Sequence, residues 1–157
     1  MGPSEIFVLI GFVLGTFMAG ITGALFKPGE WYERLNKPSW RPPNRLFAPV
    51  WSLLYLTIGV SGWLVWREHG FRDAVGPFTA FTVQLILNAG WSAIFFGLRR
   101  IDFALLEIIL LWLSVLTTVA LFFFLNKMAA FLLVPYLVWV SFAVLLNFSV
   151  WRLNVVK

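Results

Sequence analysis

The sequence has no cysteine and a single histidine, His69. The missing thiols exclude a disulfide framework, a thiolate nucleophile and a cysteine metal site. One imidazole excludes a bis-histidine metal or haem site within one chain, and no metal site is expected. Charge is also scarce: 12% of the 157 residues are Asp, Glu, Lys or Arg, and 61% are hydrophobic. A soluble domain carries about 25% charged residues. The deficit, together with long apolar runs, places the chain in a bilayer. No repeat, low-complexity tract, phosphate-cradling glycine loop or nucleophile–base pair is present. The net charge of +5 is gathered in the connectors. It fits anionic headgroups or an anionic ligand, not nucleic acid.

What is present is five stretches long enough to cross a membrane, near 6–26, 46–66, 77–98, 103–125 and 128–151. Each is about 21 to 24 residues, hence about 31 to 36 Å of helix against a hydrocarbon core of about 30 Å. Backbone polar groups in hydrocarbon must be satisfied within the segment, so helices are expected. The fold class is therefore an all-α integral membrane protein, one domain over 1–157, built as a five-helix bundle. Residues 1–5 carry no cation ahead of the first apolar run, so that run reads as a span and not as a cleaved leader. Lys and Arg divide nine to three between the two sides. The richer side holds the first loop, Arg99, Arg100, Arg152 and Lys157, which predicts the N-terminus outside and the C-terminus in the cytoplasm.

Individual helix faces carry more. The first span repeats small residues at Gly11, Gly15, Ala19 and Gly23, a spacing that lets another helix approach closely; Gly23 also leaves room for a flat ligand. On the third span Gln84, Asn88, Trp91 and Phe95 share one face. Amides inside a membrane face the bundle interior or a cavity. Opposite them, Ala89, Ala93 and Gly97 form a small-residue seam that predicts a homodimer through this helix. Pro135, inside the fifth span, is expected to kink it. Glu107 is the one acid well within a span; it is expected to snorkel or to pair with Arg99 or Arg100, with proton coupling as the alternative. Together, Trp51, Tyr55, Asn88, Trp91, Phe95 and Trp139 describe an aromatic-walled cavity for a large, flat, mostly apolar ligand.

The run GALFKPGEWYERLNKPSWRPPNRLFAPVWSLLY, with QLILNAGWSAIFFGLRR and VPYLVWVSFAVLLNFSVWRLN, resembles the translocator protein family (TspO, the peripheral-type benzodiazepine receptor). The resemblance covers nearly the whole chain. It implies a five-helix bundle, commonly dimeric, that binds protoporphyrin IX, haem, sterols and isoquinoline carboxamides, with no obligatory cofactor. Porphyrin is then ligand or substrate, and the protein a tetrapyrrole sensor, carrier or scavenger. Two alternatives are a light- and oxygen-dependent porphyrin-degrading enzyme and a proton-coupled exporter. The matching motifs carry the ligand cavity onto Trp31, Trp40, Phe47, Trp51, Tyr55, Asn88, Trp91, Phe95, Trp139, Ala143 and Leu146. Trp51 and Trp139 match the tryptophans tied to porphyrin breakdown. The family's sterol motif survives as Val144, Phe148 and Arg152, with Phe148 where the motif has tyrosine.

The first loop, residues 27–45, is long for a connector, and Pro38, Pro42 and Pro43 stiffen it. It is expected to lie over the cytoplasmic mouth as a lid. Trp31 and Trp40 then point into the cavity, and Arg41 and Arg45 stand at the rim within reach of porphyrin propionates.

Overall fold

A computed structural model describes residues 2–155 as a bundle of helices, with no strand among them. The long helices are α1 (Pro3–Leu25), α3 (Phe47–His69), α4 (Val75–Ser92), α5 (Ile101–Leu125) and α6 (Lys127–Val155); α2 (Glu30–Arg34) is a short helix in the first loop. A 3-10 turn, Asn44–Leu46, leads into α3, and a π-helical turn, Ala93–Gly97, ends α4. All five expected spans are therefore present, each within a few residues of its expected ends. Lys157, counted above for orientation, lies outside the described residues.

The helices close into a ring. α1 packs on α3 and α4, α3 on α6, α6 on α5, and α5 back on α4. Large apolar side chains such as Phe7, Leu53, Ile86, Leu110 and Phe124 stand exposed on the outside, as a lipid-facing surface requires. The interior is filled by Ile58, Val65, Val115, Phe122, Leu133, Tyr136 and Val140, all essentially inaccessible. α6 runs unbroken through Pro135.

Close approach of α1 and α3 does not use the α1 glycines that the spacing singled out. Gly11 and Gly15 face open space, and both are exposed. The inward face of α1 is Phe12, Thr16 and Ala19, and the Thr16 hydroxyl donates across to the Tyr55 carbonyl at 2.8 Å. The glycines that permit contact are Gly59 and Gly62 of α3. A Cβ on Gly59 would lie 2.8 Å from the Val13 Cα, and one on Gly62 would lie 2.9 Å from the Phe12 ring. Gly20 of α1 is likewise covered by the Tyr55 ring. Of the expected stripe, Ala19 faces inward while Gly11 and Gly15 do not, because glycines on an outward face and glycines facing a neighbour look alike in sequence.

Candidate functional site

At the centre of the bundle four side chains form one directional chain of hydrogen bonds. The Tyr55 hydroxyl donates to Asn88 Oδ1 at 2.8 Å. Asn88 Nδ2 donates to the Tyr136 hydroxyl at 3.1 Å, which donates to Gln84 Oε1 at 3.0 Å. All four residues are buried. Helices α3, α4 and α6 are thus tied together by polar groups that hydrocarbon would otherwise leave unsatisfied. The amide face expected on the third span is real, and Tyr136 is its unexpected partner. Gln84 Nε2 remains without a partner.

Aromatic rings are layered around this chain. Trp51 stacks on Tyr55 with centroids 5.4 Å apart and meets the Tyr136 edge at 6.1 Å. Trp139 contacts Phe47 at 5.8 Å and Phe142 at 5.6 Å. Trp91, one turn from Asn88, stacks on Phe95 at 4.9 Å. Its indole N–H donates to Asn147 Oδ1, and Asn147 in turn donates to the Ile101 carbonyl. Ala143 and Leu146, on the same helix as Trp139, are half-buried beside these groups. Trp51 and Trp139 differ from Trp91: among the described residues their indole N–H groups have no acceptor, and apolar packing and ring contacts hold them.

The first loop folds onto this end of the bundle. Tyr32 of α2 is buried against Phe95 and Phe96, and Trp31 meets the Phe95 ring at 5.9 Å. Trp40 contacts Phe142 at 5.6 Å, although half of it remains exposed. Asn36 and Asn154 exchange two hydrogen bonds, N–H to Oδ1 at 3.0 Å and Nδ2 to O at 2.9 Å, which staple the loop to the end of α6. Lys37 and Arg41 lie over the Tyr32 ring, 4.7 and 5.7 Å from its centroid, and Arg41 also donates to the Tyr32 hydroxyl. Arg41 is therefore engaged within the loop, whereas Arg45 is exposed and has no partner among the described residues.

Other expected residues fall elsewhere. Gly23 is exposed, and a Cβ there would come 3.6 Å from the Ser92 hydroxyl. Val144 edges a groove of about 290 Å³ between α5 and α6. Phe148 and Arg152 are exposed, Phe148 lying against Trp151 at 5.9 Å, whereas Val144 is half-buried against the core. Glu107 neither snorkels nor pairs with Arg99 or Arg100. It is buried with both oxygens unpartnered, Oε1 facing Gly90, and Arg100 bonds Asp102 instead. Besides Tyr136, Asn147 and Phe142 of the site stand outside the expected set; the lone amide of Asn147 within an apolar run is the available signal.

The profile of the TspO/MBR family matches residues 7–152. The chain belongs to that family. It is 46% identical to Protein CrtK of Rhodobacter capsulatus, covering 87% of this chain and 86% of that protein. It is 41% identical to the human Translocator protein over 92% of this chain and 89% of that protein. The Tryptophan-rich protein TspO of Chlorobaculum tepidum is 43% identical, covering 86% of this chain and 88% of that protein. This is accordingly an integral membrane protein of the TspO type.

Proposed function

We propose that this TspO-type protein binds porphyrins, protoporphyrin IX and haem among them, against the aromatic centre, and serves as a tetrapyrrole sensor, carrier or scavenger. One observation carries the reading. Trp51 and Trp139 pack partly buried against the core with indole N–H groups that have no acceptor among the described residues, beside the Tyr55–Asn88–Tyr136 hydrogen-bond chain. Such rings can shift without breaking a hydrogen bond, and they offer both a stacking face and a free donor to a flat heterocycle. Titration of purified protein with protoporphyrin IX in the dark, followed by tryptophan quenching, tests it. Saturable quenching that weakens in Trp51→Ala and Trp139→Ala is the expected result; unchanged affinity in both folded variants would overturn the site.

The same proposal includes a homodimer through α4. Val75, Thr79, Thr82, Ile86, Ala89 and Ala93 follow heptad spacing along its outward face, with the first four exposed. Gly97 is not part of that face, because a Cβ there would lie 2.9 Å from the Phe26 ring of the same chain. Ala93→Leu is expected to raise the monomer fraction in detergent; an unchanged mass distribution places the interface elsewhere. The first loop lies on the cytoplasmic side in this reading, from the Lys and Arg count, which cysteine labelling of either terminus tests.

A further inference from the structure

Next to the first loop lies a pocket of about 430 Å³ that is separate from the Trp51–Tyr55 centre. Lys27, Arg34 and Arg99 line it, with Glu30 the single acid, and Trp31 and Phe96 form its ring wall. Glu30 is already paired with Arg34 at 3.2 Å. Lys27 and Arg99 have no hydrogen bond or ion pair among the described residues. Two cations without a protein partner thus border one pocket from its exposed rim, where an anion between them would be drawn to both.

The backbone is shaped to hold them there. The π-helical turn at Ala93–Gly97 inserts an extra residue, with Leu98 N–H bonded to the Ala93 carbonyl at 2.8 Å and Arg100 N–H to the Ile94 carbonyl at 3.2 Å. Phe26, at the end of α1, seats its ring on Gly97, and Lys27 follows it directly. Arg99 then adopts φ 56°, the one non-glycine residue in the left-handed region among those described. That conformation is unfavourable for arginine, and such outliers persist where the surroundings over-determine them.

We propose that this pocket is an anion site, taking the carboxylate or phosphate group of an amphiphile between Lys27 and Arg99 while Trp31 and Phe96 receive its adjoining apolar part. The carboxylate case rests on the porphyrin reading above and moves the propionate contacts from Arg41 and Arg45 to these residues. The phosphate case, an anionic lipid headgroup, stands without it.

The test uses the full chain and a Lys27→Gln/Arg99→Asn double variant. Asparagine tolerates the left-handed backbone at 99, so charge is removed with little conformational change. Protoporphyrin IX and its dimethyl ester are titrated in the dark. In parallel, retention of phosphatidylglycerol and phosphatidylcholine is read by native mass spectrometry. The carboxylate case predicts that the double variant binds the acid about tenfold more weakly or worse, the scale of a lost charge-assisted hydrogen bond, and the ester as before. The phosphate case predicts loss of retained phosphatidylglycerol alone. A Lys27→Arg/Arg99→Lys pair, which keeps both charges, should restore whichever binding was lost. Unchanged acid binding together with unchanged phosphatidylglycerol retention overturns the anion site, as does an equal loss of acid and ester. Failure of the wild type to bind either porphyrin form sinks the porphyrin reading instead, and the lipid measurement then decides the pocket by itself.

Discussion

Asn88 donates to the Tyr136 hydroxyl while accepting from Tyr55, so one amide on α4 holds tyrosines from two other helices. Asn88→Ala would leave the Tyr55 hydroxyl unpartnered in the interior and strip the Tyr136 hydroxyl of its donor, with only its bond to Gln84 Oε1 remaining. An unsatisfied buried group costs about 1–3 kcal/mol, so a clear drop in Tm in detergent is expected. Tyr136→Phe removes one hydroxyl but also frees Gln84 Oε1 and Asn88 Nδ2, and should destabilise too. If neither variant lowers Tm, the chain of bonds does not hold the helices together.

The α1–α3 contact makes a second, sharper contrast. Gly59→Ala places a Cβ 2.8 Å from the Val13 Cα, a backbone atom that cannot swing away. Overpacking of this kind costs about 1–3 kcal/mol. Gly15→Ala, only 44 residues away in the chain's other helix of the pair, meets nothing within 4 Å and should fall within about 0.5 kcal/mol of the parent. Thermal unfolding of both variants in one detergent checks the difference.

Much of this was legible beforehand, for identifiable reasons. Spans are fixed by hydrocarbon length, so their number and approximate ends follow from composition. Gln84, Asn88, Trp91 and Phe95 fell on one face because helical spacing is nearly invariant. What spacing cannot give is which helix lies opposite. Gly11 and Gly15 therefore looked like contact residues and proved to face outward, while Gly59 and Gly62, in the companion helix, went unmarked. Tyr136 was hidden for the same reason: its hydroxyl matters only because α6 lies beside α4. The π-helical turn that precedes Arg99 leaves no periodic signal in the sequence.

Glu107 gives a third prediction. Its carboxyl is buried, faces Gly90, and has no cation or donor among the described residues. An unpaired ionised carboxylate in such a place is strongly unfavourable, and replacement by a neutral group of the same shape removes that penalty. Glu107→Gln is expected to keep or raise Tm and to leave protoporphyrin affinity unchanged. A variant that stays folded but loses uptake or efflux of porphyrin in vesicles would instead revive Glu107 as a proton-coupling group.

The last prediction separates binding from photochemistry. Oxidative breakdown of an excited porphyrin needs light, oxygen and an electron-rich neighbour. Tryptophan supplies that neighbour, whereas phenylalanine preserves an aromatic wall and is much harder to oxidise. Trp51 and Trp139 are suited to this comparison because no hydrogen bond is lost when their indole N–H groups are removed; only ring contacts to Tyr55, Tyr136, Phe47 and Phe142 need to be kept. Trp51→Phe and Trp139→Phe should then retain much of the binding, while alanine at either position should lose about 1–3 kcal/mol of stacking. Light-dependent loss of the porphyrin absorbance should fall steeply in the double phenylalanine variant and be absent from dark or oxygen-free samples of every protein. Binding and breakdown have to be read on the same preparations, since a collapsed wall would lower both. Equal breakdown in the wild type and the double phenylalanine variant would deprive the enzymatic alternative of its electron donors and leave porphyrin binding as the activity to be explained.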